Sequence, residues 1–274
     1  MSAQIELPKA VDIKTCCANL YASDWAHLLL GDSFHPGGVA LSERLASFLR
    51  LGPGRRLLDV ASGKGTSAIY LAQRYGCDVV GVDYSQELVA EATEAAQAAG
   101  LADRVQFRHS DVETLPFPEA VFDALICECA FCTFPDKATA ASGFARVMRV
   151  EGRLGLSELT RTGELPEDLE GLLAWVACIG DARPLEEYVT YLKEAGLAIV
   201  TAEKHDDAVR ELVRDIRTKL LAAEMLVKLK KLDLPGADFE QARGLARSAV
   251  EAVRAGKLGY ALLVGVKQNM SGKI

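Results

Sequence analysis

"RRLLDVASGKGTSAIYLAQRYGCDVVGVDYS", residues 55–85, carries most of the architectural information in this chain. Residues 55–62 form a short apolar run that reads as a buried strand, and 66–76 carry apolar residues at helical spacing up to a stop at Gly76. Residues 77–85 return to a β-branched run that ends Asp83-Tyr84-Ser85. In the turn after the first strand, Gly63 and Gly65 allow close backbone approach. The helix start that follows offers unpaired N–H groups and positive partial charge. Asp83, about twenty residues further on, stands where an acid can accept both hydroxyls of an adenosine ribose. A glycine turn alone says little, because tight turns need glycine anyway. The loop also departs from the G-x-G-x-x-G of a dinucleotide-binding domain.

The alternation continues past this unit. Strands are expected at 105–111, 122–130, 152–160, 197–205 and 259–267, with helices at 86–100, 136–149 and 184–196. Strands alternating with helices predict an α/β fold, a doubly wound, mostly parallel seven-stranded sheet covered on both faces. The third strand runs into "HSDVETLPF", which places Asp111 beside the same crevice. Between the last two strands, Val209, Leu212, Val213, Ile216 and Leu220 repeat at helical spacing, the chain breaks at 234–238, and Asp238 can cap a second helix that Gly256 ends. This predicts one domain over 1–274: an N-terminal helical cap (1–50), a Rossmann-like core (51–205 and 257–267) and a helical insertion (206–256) near one end of the sheet.

At 274 residues and 50% hydrophobic, the chain can bury a sizeable core. Its net charge of −7 argues against a broad nucleic-acid-binding face. The N-terminal stretch lacks a basic-then-apolar signal, and no apolar run reaches membrane-spanning length. A cytoplasmic location is therefore expected, with the 7 cysteines as free thiols.

The motifs together resemble those of class I S-adenosyl-L-methionine-dependent methyltransferases. The family's acid-x-Gly-x-Gly-x-Gly motif appears as Asp59-Val60-Ala61-Ser62-Gly63-Lys64-Gly65, with Ala61 in place of the first glycine. Asp83 matches the acid after strand two, Asp111 the acid of the adenine-side loop, and "RVMRVEGRLGLSEL" the stretch leading into strand five. The resemblance spans roughly residues 50–160. It implies S-adenosyl-L-methionine as cofactor, with Asp59, Ala61, Ser62, Gly63, Gly65 and Thr66 around its methionine portion. Asp83, Tyr84 and Ser85 would lie at the ribose, Asp111 and Val112 near the adenine, and Glu128 at the end of strand four.

Strand four ends beside the reactive centre in that fold, and it carries "ICECAFCTFPDK" (126–137), with Cys127, Cys129 and Cys132. Cys127 and Cys77 read as core, since free cysteine is among the most buried residue types. C-x-C-x-x-C is the wrong shape for a structural zinc site, and Cys129–Cys132 lacks the helix-start context of a redox dithiol. Soft thiolates also select thiophilic partners.

"ECAFCTFPDK" and "ACIGDARPLEEYVTYLKEAGL" resemble two stretches of arsenite methyltransferases, and "DIKTCC" a third. The resemblance implies Cys129 and Cys178 as ligands of a trivalent metalloid substrate, with Cys16, Cys17 or Cys132 completing the set. A thiol reductant would then be a possible partner. Ala68 stands where that family has a further cysteine, and neither 31–45 nor 206–256 matches a feature of it. Arsenic carries no proton to remove. A hydroxyl or amine acceptor would want a base, for which His35 and Glu128 are candidates. Tyr21 reads as a cap residue over the cofactor or as buried packing. Three readings stand: methylation of a thiophilic metalloid; O-, N- or C-methylation of an organic small molecule with incidental cysteines; and a non-catalytic sensor of cofactor or metalloid.

Overall fold

The computed structural model describes residues 10–31, 33–166, 169, 178–234 and 238–269. Seven strands form one sheet in the order β3-β2-β1-β4-β5-β7-β6: β1 Arg56–Val60, β2 Asp78–Asp83, β3 Val105–His109, β4 Phe122–Glu128, β5 Met148–Arg161, β6 Leu197–Lys204 and β7 Leu258–Lys267. Strands β1 to β5 pair in parallel, while β7 runs antiparallel to both β5 and β6. The order reverses between β1 and β4. A crevice opens there beyond the carboxyl ends of the strands, the usual ligand position in such sheets.

Nine helices flank the sheet among the described residues: α1 Ala10–Tyr21, α2 Asp24–Leu30, α3 Gly38–Ala46, α4 Thr66–Tyr75, α5 Gln86–Ala98, α6 Lys137–Val147, α7 Leu185–Glu194, α8 Asp206–Lys228 and α9 Phe239–Arg254. Burial of the sheet on both faces explains its near-continuous apolar strands. Leu57, Leu58 and Val60 of β1 are fully buried, as are Phe122, Leu125 and Cys127 of β4. Helix α4 stops at Gly76, whose φ of 68° is left-handed, as the sequence predicted.

Strand β5 starts earlier than expected, at Met148 instead of residue 152. Its pairing with β4 skips from Phe122–Met148 to Ala124–Arg153, so the residues between form an irregularity that joins α6 directly to the strand. Gly152 fits that bend because a Cβ there would lie 2.7 Å from the carbonyl oxygen of Arg149.

The predicted pair at 206–256 is present as α8 and α9, packed on each other and on β7, with α8 also against α2. Val209, Val213 and Leu220 are buried, and Lys219 Nζ donates to the carbonyl oxygen of Leu29 at 2.9 Å, fastening α8 to the N-terminal segment. Asp238 caps α9 by accepting from the Gln241 N–H at 2.9 Å. Residues 235–237 of the predicted break lie outside the described residues. Among the described residues, no helix is long and apolar enough to cross a membrane.

Candidate active site

The crevice holds a cleft lined by Ala61, Gly63, Asp83, Tyr84, Asp111, Val112, Glu128 and Cys129 from the sheet side, with Lys14, Cys17, Ala18 and Tyr21 of α1 as its other wall. Gly63 (φ 52°) donates its N–H to Asp83 Oδ2 at 2.9 Å, and Ser85 N–H donates to Oδ1 at 2.8 Å. Asp83 thus ties the first turn to the end of β2 before any ligand arrives. Each of its oxygens keeps a second lone pair for a hydroxyl. Gly65 (φ 75°) is required by contact as well as conformation, because a Cβ there would fall 2.3 Å from the Phe107 ring. Ser85 is absent from the lining and instead caps α5.

Behind the turn lies a narrower recess lined by Ser33, His35, Asp59, Ser62, Thr66, Ser67 and Glu128. Burial first, then the neighbouring Glu128 and Asp83, push the Asp59 carboxyl well above the usual carboxylate range. Asp59 Oδ2, Ser62 Oγ and Glu128 Oε1 are buried here without a hydrogen-bond partner in the structure. Unpaired buried polar atoms are costly, so this recess is built to receive a donor. His35 is buried against this same group. Its ring lies 3.4 Å from Ser42 Oγ, 3.5 Å from Ser67 Oγ and 3.6 Å from Glu128 Oε2.

A second, apolar chamber of about 350 Å³ adjoins the cleft. Leu20, Leu29 and Leu30 contribute one side, Val209 to Leu220 of α8 and Leu245 to Ala249 of α9 the others. Tyr21, Phe34 and Cys129 line both spaces, so they form the passage between them. No lysine, arginine or histidine is among the described residues lining the chamber.

The cysteines converge at this passage. Cys178 lies against the thiols of Cys129 and Cys132, its Sγ 3.1 Å from Tyr21 Oη and donating to the Cys129 carbonyl oxygen at 3.1 Å. Cys17 of α1 is close enough that charge on Cys178 adds to the rise of its own thiol. Cys129 and Cys178 both have left-handed backbone (φ 54° and 64°), a strain concentrated at functional sites. Contact with Cys178 and burial raise the Cys129 thiol, burial and Cys178 raise Cys132, and burial pushes Cys17 up to about 12. Hydrogen bonds from Cys129, Cys132 and Tyr21 pull Cys178 downward against burial. With no lysine or arginine bonded to the set among the described residues, the protonated thiol is the form its bond to the carbonyl requires. Buried Glu158 braces the passage from below: it accepts from the N–H groups of Ala130, Phe131 and Cys132, and burial raises its carboxyl to about 8.

Two of the residues singled out in the sequence fall outside the chamber lining. His35 lines the recess behind the glycine turn, while its neighbours Phe34 and Pro36 face the chamber. Cys16 lines neither space; its neighbour Cys17 takes the inward position on α1. Cys132 and Cys178 belong to the thiol group yet are 0% and 2% exposed and are absent from the lining of the cleft, the recess and the chamber. Among the described residues, no group of three or more His, Cys, Asp or Glu is disposed to hold a metal ion. Cys77 and Cys127 are core, as expected.

Three groups were missed. Lys14 bonds to both oxygens of Asp111 (3.0 and 2.8 Å) and to Glu113 across the cleft edge. Buried Lys137 pairs with Asp181, joining the Cys132 and Cys178 segments. Glu158 is the third. Of these, only Lys137 had a sequence signal: a lysine in the first turn of a helix opposes the helix dipole unless an acid answers it.

A methyltransferase-domain family model matches residues 58–156. The chain is 34% identical over 234 residues to the 27-O-demethylrifamycin SV methyltransferase of Amycolatopsis mediterranei (strain S699), covering 83% of this chain and 82% of that protein. It is 28% identical over 172 residues to an arsenite methyltransferase of Halobacterium salinarum, covering 62% of this chain but only 44% of that protein. The geranyl diphosphate C-methyltransferase of Streptomyces coelicolor A3(2), solved with S-adenosyl-L-homocysteine, superposes with a TM-score of 0.71 over 96% of this chain and 99% of that one. At 18% identity that likeness speaks for the fold alone.

Proposed function

Because the chain belongs to the class I S-adenosyl-L-methionine-dependent methyltransferases, we propose that it methylates an organic small molecule held in the apolar chamber between α2, α8 and α9. The observation that carries this reading is the passage at Tyr21, Phe34 and Cys129, through which the chamber meets the cofactor cleft. A space of this volume and lining suits a drug-sized, uncharged compound. A phosphate or diphosphate on the acceptor would want arginine or lysine, and the described residues of the chamber lining supply neither. The 34% identical relative is likewise named for an organic compound methylated on oxygen.

The residues present fit the cofactor. The unpaired acceptors Asp59, Ser62 and Glu128 suit its ammonium end, Asp83 its ribose hydroxyls, and the Asp111–Val112 corner its adenine. When bound, the cofactor supplies an activated methyl group on sulfur. The chain's part is alignment and exclusion of water. Tyr21 and Phe34 narrow the passage, their rings 5.5 Å apart, so that an acceptor can present one edge while its body stays in the chamber.

The convergence of Cys17, Cys129, Cys132 and Cys178 favours a second reading, methylation of trivalent arsenic held on thiols. Against it stand the burial of Cys132 and Cys178 and the cavity that a metalloid would leave empty. The experiment is a mass-spectrometric screen of the purified chain with S-adenosyl-L-methionine, pitting neutral apolar alcohols and phenols against arsenite with reduced glutathione. Methylated organic product, lost in Ala246→Phe, which narrows the chamber, is the expected result. Methylated arsenic that disappears in Cys129→Ser, with no organic product, would establish the second reading.

A further inference from the structure

The hydrogen bonds behind Tyr21 have a fixed direction. Cys178 has a single S–H, and it donates that proton to the carbonyl oxygen of Cys129. The contact between Tyr21 Oη and Cys178 Sγ, 3.1 Å, must therefore run the other way, with the phenol as donor and the sulfur as acceptor. A phenol has one proton and two lone pairs. With its proton committed to sulfur, Tyr21 can offer the passage only an acceptor.

Resting on the chamber reading above, we propose that Tyr21 receives a hydrogen bond from the acceptor's nucleophilic hydroxyl, which selects a neutral alcohol or phenol as substrate and makes this an O-methyltransferase. Three alternatives fit the passage less well. A carbon nucleophile has no proton to give Tyr21. An aliphatic amine enters as a cation, and the one carboxylate among the described residues lining the chamber, Asp238, is held by the Gln241 N–H at the start of α9. A carboxylate or phosphate brings only acceptor oxygens to a group that is itself an acceptor. Cys129, the other polar group of the passage, has its thiol raised and so stays a weak, neutral neighbour.

This gives Cys178 a role that needs no metal. It is a positioning residue that fixes the rotor of the Tyr21 hydroxyl, and its left-handed backbone (φ 64°) and the buried Lys137–Asp181 pair hold it in place. In the transfer itself the bond from sulfur to methyl breaks and a bond from the acceptor oxygen to the methyl forms; the hydroxyl proton, directed at Tyr21 during the transfer, is lost to solvent as the product leaves.

The test uses the full chain with S-adenosyl-L-methionine and a matched pair of neutral probes, 1-naphthol and naphthalene, titrated by fluorescence, with thermal melting to verify folding. The wild-type chain should prefer 1-naphthol by about two- to tenfold beyond the difference that water–hydrocarbon partition predicts, the range of one hydrogen bond. Tyr21→Phe should erase that preference while leaving naphthalene binding unchanged. Cys178→Ser, which keeps a donor and acceptor, should retain it, and Cys178→Ala should weaken it. Equal preference in wild type and Tyr21→Phe overturns the assignment of Tyr21. Binding of neither probe overturns the chamber reading and, with it, this proposal. If 1-naphthol is turned over, the product must be 1-methoxynaphthalene; a ring-methylated product also overturns it.

Discussion

Ala61 shows how one side chain can sit against the grain of its backbone. It occupies the first glycine position of the turn after β1, yet the turn keeps the left-handed geometry there, φ 57°. An L-residue in that region is strained by about 1–2 kcal/mol, partly offset by the greater chain entropy glycine would lose. Ala61→Gly should raise stability by about 1 kcal/mol, read as a higher denaturant midpoint at unchanged slope. A lower midpoint would mean that the Ala61 methyl packs better than its backbone suggests. Asp83 behaves in the opposite manner, because its geometry is satisfied twice over by Gly63 and Ser85. Asp83→Ala removes the turn's anchor and the hydroxyl acceptor together, and cofactor affinity should fall by about 1–3 kcal/mol. Unchanged affinity by calorimetry would take Asp83 out of the cofactor site.

Strand β5 does more than fill the sheet. From it Glu158 reaches under the turn at Phe131–Thr133 and collects the N–H groups of Ala130, Phe131 and Cys132, so the thiol passage is built on a buried acid. Burial raises its carboxyl to about 8, well above its value in an unfolded chain. The folded state therefore holds more protons than the unfolded one between roughly pH 4.5 and 8, and Glu158's contribution to stability falls as pH rises through that window. Glu158→Gln removes the titration while keeping one acceptor oxygen. The difference in melting temperature between variant and wild type should shift in the variant's favour from pH 5 to pH 8. A difference that stays flat over that interval would mean that Glu158 is already ionised in the folded chain. None of this was readable in "GLSELT", where period-two alternation says which residues turn inward but not which inward acid meets three backbone donors.

The order of the elements, the glycine turn and the acids after β2 and β3 were legible because each depends on local rules: strand and helix periodicity, a left-handed turn, a fixed offset. What closes the site is long-range. Lys14 meets Asp111 across 97 positions and Tyr21 meets Cys178 across 157, and no spacing rule reaches that far. The cysteine convergence was anticipated only through a resemblance, which did not indicate that the thiols would be buried behind an apolar chamber. The same long-range contacts hold α1 in place as one wall of the cleft. Burial alone would lower the Lys14 ammonium, but Asp111 and Glu113 outweigh it and keep it charged, with side-chain exposures of 13%, 29% and 15%. A partly shielded pair of this kind contributes on the order of 1 kcal/mol. Lys14→Met keeps the stem and removes the charge. It should speed release of S-adenosyl-L-methionine about fivefold, the rate equivalent of that energy. Amide exchange along Ile13–Tyr21 should quicken with it, while β1 and β4 stay protected because their bonds lie within the sheet. Unaltered exchange in α1 together with unaltered release would show that apolar packing holds the wall, leaving the Lys14 bridge as a surface ornament of the cleft edge.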